Sequence, residues 1–131
     1  MATLPKAFQE RMSRPKTVLV IDDDRSIREL LSLHLANRGY DVAVAEDAVV
    51  GGRLALSAKP QLIIIDVNMP YLDGPEFVAA MRSDPQTKDI PVVFLSSDPD
   101  LGDRAAKLGA VACLTKPIMA DRLLDVVARV V

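Results

Sequence analysis

The sequence predicts an α/β fold: a doubly wound (βα)5 domain with a parallel five-stranded sheet between two layers of helices. Three observations predict it. Five short apolar runs, most of them β-branched, alternate with longer stretches of helical periodicity. Most runs are apolar at successive positions, as parallel strands covered on both faces require. The 131 residues, half of them hydrophobic but only 4% aromatic, suffice for one domain with a core of Val, Ile, Leu and Ala and leave no room for a second.

Each element has its own signal. The first strand, Val18 to Ile21, is followed by Ile27, Leu30, Leu31 and Leu35 at helical spacing, and Gly39 suits the left-handed turn that ends a helix. The second strand, Val42 to Ala45, leads to Asp47, an N-cap for a helix that Lys59-Pro60 stops near Ala58. Leu62 to Ile65 is the third strand, with a helix from about Gly74 to Arg82. Val92 to Leu95 is the fourth, with a short helix from about Leu101 to Leu108. Val111 to Leu114 is the fifth, and a last helix from about Met119 sets Leu123, Leu124, Val127 and Val131 on one face. Gly51-Gly52 weakens the second helix by up to about 2 kcal/mol relative to alanine, and close packing is the ordinary reason for such a pair. Right-handed crossovers and the order 2-1-3-4-5 put strands one and three side by side, where the winding reverses.

Charge divides the chain. Residues 1–16 form a basic extension of net charge +3, and residues 17–131 carry −5. In the extension Leu4, Phe8 and Met12 share a face if Pro5 opens a short helix, with a frayed tail as the default. An acidic body argues against direct DNA binding, which relies on Lys and Arg neutralising phosphates. The longest apolar runs, Phe77 to Met81 and Ala110 to Leu114, are five residues each, far short of the ~20 that span a bilayer. The first sixteen residues lack the apolar stretch of a secretory signal. One cysteine, Cys113, forms no internal disulfide, which fits a reducing cytoplasm.

In a doubly wound sheet, ligands bind beyond the carboxyl ends of the strands. The residues there are Asp22, Asp23 and Asp24 after the first strand, Asp66 after the third, Ser96 and Ser97 after the fourth, and Thr115, Lys116 and Pro117 after the fifth. One acid of the triplet, Asp24, serves as a helix N-cap. Three acids exceed what one cap needs. Carboxylates crowded on one rim repel one another, and one rises in pKa unless a cation compensates; hard oxygen donors without His or Cys select Mg²⁺. Such a cluster beside a lysine and a hydroxyl suits phosphoryl chemistry, and one carboxylate could itself be the nucleophile.

The segments VLVIDDD (18–24), LIIIDVNMPYLDG (62–74), PVVFLSSD (91–98) and GAVACLTKP (109–117), with their spacing, resemble the receiver domain of bacterial two-component response regulators over residues 17–131. The resemblance implies that Asp66 accepts a phosphoryl group from a phosphohistidine of a histidine kinase or histidine phosphotransfer protein. It implies that Asp23, Asp66 and the Asn68 carbonyl hold Mg²⁺, with Asp22 acting mainly through a coordinated water. Lys116 would pair with the phosphoryl oxygens, its peptide bond to Pro117 being cis. Ser96 would be the switch hydroxyl, and Met69, Pro70, Asp73 and Gly74 would shape the loop after Asp66. Asn68 and Asp98 would flank the path of the hydrolysing water and permit fast turnover. A downstream protein would read the fourth helix, fifth strand and fifth helix, and a weak homodimer is left open. Many receivers carry an aromatic residue where this chain has Cys113, which reads better as a small core residue than as a redox sensor.

Two other classes remain. A haloacid-dehalogenase-type phosphohydrolase also uses a strand-end Asp and Mg²⁺, but it needs a second acid where this chain has Asn68. A flavodoxin-like FMN carrier needs a phosphate loop where Asp22, Asp23 and Asp24 would repel phosphate. Within the receiver reading, the chain is expected to be a stand-alone protein, the alternative being a module excised from a hybrid kinase or longer regulator. His34 is expected at the rim of its helix's apolar face, and Tyr71 on the surface.

Overall fold

β-Branched and aliphatic residues form five strands: β1 (Thr17–Ile21), β2 (Asp41–Ala45), β3 (Leu62–Asp66), β4 (Val92–Ser96) and β5 (Ala112–Thr115). They alternate with α2 (Arg25–Asn37), α3 (Ala48–Ser57), α4 (Gly74–Arg82) and α5 (Ala120–Val130), and α1 (Lys6–Ser13) precedes the sheet. This computed structural model describes residues 3–13, 15–70 and 72–131, leaving out the side chains of 10–13. Tyr71 and the Met12 side chain therefore lie outside the described residues.

The sheet is parallel throughout, in the order β2-β1-β3-β4-β5. Pleating sends alternate residues to opposite faces. Leu19, Ile21, Ile63, Ile65, Val92 and Phe94 meet Ala55 of α3 and Phe77, Val78 and Met81 of α4. Val18, Val20, Leu62, Ile64, Val93 and Leu95 meet Leu31 and Leu35 of α2 and Leu123, Val126 and Val127 of α5. The central strands β3 and β4 are buried at every position, whereas the edge strand β2 leaves Val44 44% exposed. No helix among the described residues is long and apolar enough to cross a membrane.

As expected, Asp24 and Asp47 accept backbone N–H groups at the starts of α2 and α3, and Gly39 takes the positive φ after α2. Asp73 does the same at the start of α4. Within the extension Lys6–Ser13 form α1, with Gln9 N–H donating to the Pro5 carbonyl. Lys16 Nζ donates to the Val131 carbonyl, tying the start of β1 to the last residue.

The expected helix from Leu101 to Leu108 is instead a 3₁₀ helix at Pro99–Arg104 followed by turns. Asp98 caps it, and the Leu101 N–H donates to the Asp98 carbonyl three residues back. Gly102 costs about 1 kcal/mol in a regular helix. The tighter turn still buries Leu101 and Ala105.

The glycine pair of α3 has two different explanations. A Cβ on Gly51 would lie 2.6 Å from Ile21 Cδ1, whereas one on Gly52 would meet nothing within 4 Å. Close packing therefore explains Gly51 alone. Gly52→Ala should stabilise the fold by about 1 kcal/mol through helix propensity. Gly51→Ala should be destabilising, because overpacking against a fully buried Ile21 costs about 1–3 kcal/mol. Paired denaturant titrations read both signs.

Candidate functional site

Strand register brings the polar strand ends together. Ile21 pairs with Ile65, Asp66 with Leu95, and Ser96 with Thr115. Asp22, Asp66, Ser96 and Lys116 thus fall on one rim, and Lys116 N–H donates to the Ser96 carbonyl at 2.7 Å. The Lys116–Pro117 peptide is cis.

Asp22 is fully buried and Asp66 and Ser96 nearly so, while Asp23 is exposed. Lys116 Nζ lies 3.1 Å from Asp66 Oδ2 and 3.3 Å from Asp22 Oδ2. Asp66 Oδ1 accepts the Asn68 N–H at 3.0 Å, and Asp22 Oδ1 accepts the Asp24 N–H at 2.9 Å. The ammonium pairs with Asp22 Oδ2 by charge without hydrogen-bond geometry, leaving that oxygen buried with no donor. Burial pushes the Asp22 carboxyl up, and Asp66 adds to this against the Asp24 N–H and Lys116. Burial works against the charge on Lys116 too, but the Asp66 and Asp22 carboxylates outweigh it and hold the ammonium above its ordinary value.

Asp22, Asp23 and Asp66 can each offer one oxygen, all within 4.8 Å of one another. An orphaned buried carboxylate oxygen in a cluster with neither His nor Cys fits a hard divalent cation such as Mg²⁺. One lysine charge faces two buried carboxylates here, so a dication relieves an imbalance already present.

Ser96 Oγ accepts the Asp98 N–H at 2.9 Å. Asp98 in turn accepts the Asp100 N–H and pairs with Arg104 Nη2 at 3.4 Å. Asn68 is exposed, and a Cβ on Gly74 would lie 3.1 Å from Val67 Cα and 3.4 Å from the Asp66 carbonyl oxygen. His34 is half-buried on α2.

Cys113 is half-buried against the core on the α3 and α4 face. Burial raises its thiol pKa, and Asp98 adds to this. A raised pKa leaves less thiolate and so slows alkylation at neutral pH. Iodoacetamide should label the native protein at least about 10-fold more slowly than the unfolded chain, and equal rates would show an accessible, activated thiol.

The sequence reading missed Arg28, whose Nη1 donates to the Asp22 carbonyl at 2.8 Å. Its one signal was a basic residue one helical turn past the Asp24 cap.

The chain is similar to known proteins. The family model of the response regulator receiver domain matches residues 18–128. The DNA-binding dual master transcriptional regulator RpaA of Synechocystis sp. is 38% identical over 109 residues, 82% of this chain and 45% of that protein. The transcriptional regulatory protein PrrA of Mycobacterium tuberculosis is 40% identical over 115 residues, 86% of this chain and 47% of that protein. The chain spans about half the length of these curated relatives. The chemotaxis response regulator CheY4 of Vibrio cholerae superposes with a TM-score of 0.82 at 36% identity, over 90% of this chain and 100% of that one. With the five-stranded order, the rim of acids and the match over residues 18–128, the chain belongs to the receiver domains of two-component response regulators.

Proposed function

We propose that this receiver accepts a phosphoryl group on Asp66 from a phosphohistidine of a histidine kinase or histidine phosphotransfer protein, in a Mg²⁺-dependent reaction. The observation that carries the reading is Lys116 Nζ at 3.1 Å from Asp66 Oδ2, with the buried, donorless Asp22 Oδ2 beside it. An Asp66 oxygen attacks phosphorus, the P–N bond breaks, and its electron pair leaves on the imidazole, which takes a proton. Lys116 then faces the phosphoryl oxygens, and Ser96 turns its hydroxyl from the Asp98 N–H toward them. Asp23, Asp66 and the Asn68 carbonyl would hold Mg²⁺, with Asp22 through water; when bound, the ion neutralises charge on the phosphoryl oxygens. Hydrolysis returns the carboxylate and releases phosphate, along a path that Asn68 and Asp98 keep polar.

Phosphorylation adds about −1.5 to −2 in charge, enough to bias the loop after β4 between two arrangements. The changed surface is the 3₁₀ segment, β5 and α5, read by a downstream protein rather than by DNA, in the cytoplasm. The reading that this receiver signals without an output domain is supported by CheY4, which this chain covers from end to end. A second reading, a receiver module of a longer regulator, is favoured by the curated relatives being about twice as long as the matched region.

Incubation with acetyl phosphate or phosphoramidate and Mg²⁺ should add one phosphoryl group by intact mass, and excess EDTA should abolish the gain. No gain with Mg²⁺ refutes the reading.

A further inference from the structure

The three carboxylates of the rim are not held equally. Asp66 is fixed by the Asn68 N–H and Lys116, and Asp22 by the Asp24 N–H. Asp23 is exposed, and its side chain has no hydrogen bond or ion pair among the described residues. Only the backbone on either side sets its position. Asp24 is fixed as the cap of α2. On the other side, the Asp22 N–H donates to the Ala45 carbonyl at 3.1 Å, and the Asp22 carbonyl accepts Arg28 Nη1 at 2.8 Å.

We propose that Arg28 is a positioning residue for the metal site: by clamping the Asp22 carbonyl it orients the Asp22–Asp23 peptide, and so aims the Asp23 carboxylate at the cation. Among the described residues it makes the only side-chain hydrogen bond from outside the loop to the backbone of Asp22, Asp23 or Asp24. The reach follows from helix geometry. Side chains lean toward the helix N-terminus, so a long side chain in the first turn of α2 comes back over the preceding loop. Arg28 is half-buried and its guanidinium always charged, so the clamp persists at every relevant pH.

A bystander cation and a clamp predict opposite signs. A nearby positive charge repels Mg²⁺, so its removal would tighten binding. Removal of a clamp loosens the peptide carrying Asp23, and loss of such a supporting bond typically weakens a metal site about 10-fold or more. Arg25 is the control, on the same turn but paired with Glu29 and with its side chain 83% exposed.

This inference rests on the proposed Mg²⁺ site, and the experiment separates the two. Amide NMR shifts of the β1–α2 loop are followed during Mg²⁺ titration of the full chain without phosphodonor, with thermal melts as a check on folding. Arg28→Ala is expected to raise the Kd about 10-fold with a wild-type pattern of dispersed amides. Arg28→Lys should fall between the two, and Arg25→Ala should match wild type. If Arg28→Ala does not fold, Arg28→Lys and Arg28→Gln decide, each being a shorter donor that should weaken binding. An unchanged or lower Kd in the folded Arg28 variants, or an equal loss in Arg25→Ala, overturns the clamp. A wild type that binds no Mg²⁺ overturns both the clamp and the site. Normal Mg²⁺ behaviour without phosphoryl uptake overturns only the phosphoacceptor reading.

Discussion

Asp66→Asn is expected to take up no phosphoryl group from acetyl phosphate in Mg²⁺ buffer, while wild type gains one. The substitution keeps the volume of the side chain, and its Oδ1 can still accept the Asn68 N–H. It removes the nucleophilic oxygen that faces Lys116. No neighbour replaces it. Asp22 is 0% exposed, with one oxygen tied to the Asp24 N–H. Asp23 is exposed, and the ammonium of Lys116 pairs with the other two acids instead. The fold should persist, since the charge removed repels Asp22. Intact mass after a fixed incubation decides, and equal uptake by the two proteins would place the acceptor elsewhere.

Asp22→Asn is expected to raise stability and weaken the response to Mg²⁺ together. A fully buried carboxylate with one donorless oxygen beside a second carboxylate is a destabilising arrangement without a cation. Neutralising it while keeping its shape removes the cost of burying the charge, and Lys116 stays paired with Asp66. The gain in metal-free buffer should be on the order of 1 kcal/mol, or a few degrees in Tm. Added Mg²⁺ should stabilise wild type by about 2.7 kcal/mol at 100 times its Kd, and the variant by clearly less. Thermal melts with EDTA and with Mg²⁺ read both effects. A lower Tm in EDTA, or an undiminished response to Mg²⁺, would show that Asp22 serves the fold rather than the site.

The two substitutions bear on how an arrangement that opposes folding comes to lie on a stable scaffold. The pairs of β3 and β4 with their neighbours bury every side chain of both strands. That core tolerates a rim where two buried acids share one ammonium. An unfavourable arrangement of charge at a functional rim is offset by packing elsewhere.

Most of the architecture was legible in the residues. Five apolar runs, Asp24 and Asp47 before helices, and Gly39 after one are local signals that act within a few residues, so they survive without knowledge of the fold. The acids, the hydroxyl and the lysine were legible too, because each directly follows a strand, and parallel topology sends all strand ends to one rim. Other features required the coordinates. The turn at Pro99–Arg104 departs from the periodic pattern because Gly102 disfavours a regular helix and a shorter turn buries Leu101 as well. Gly51 and Gly52 look alike in sequence and differ only because Ile21, thirty positions upstream, faces one of them. The pairing of Asp98 with Arg104 and the reach of Arg28 to a carbonyl are likewise set by where the loops turn. The sequence by itself determined the order of elements and the chemistry at their ends, since periodicity and capping are local properties. Only the tertiary structure decided which charge is left without a donor and which side chain holds the loop beside it, since those depend on distances between segments far apart in the chain.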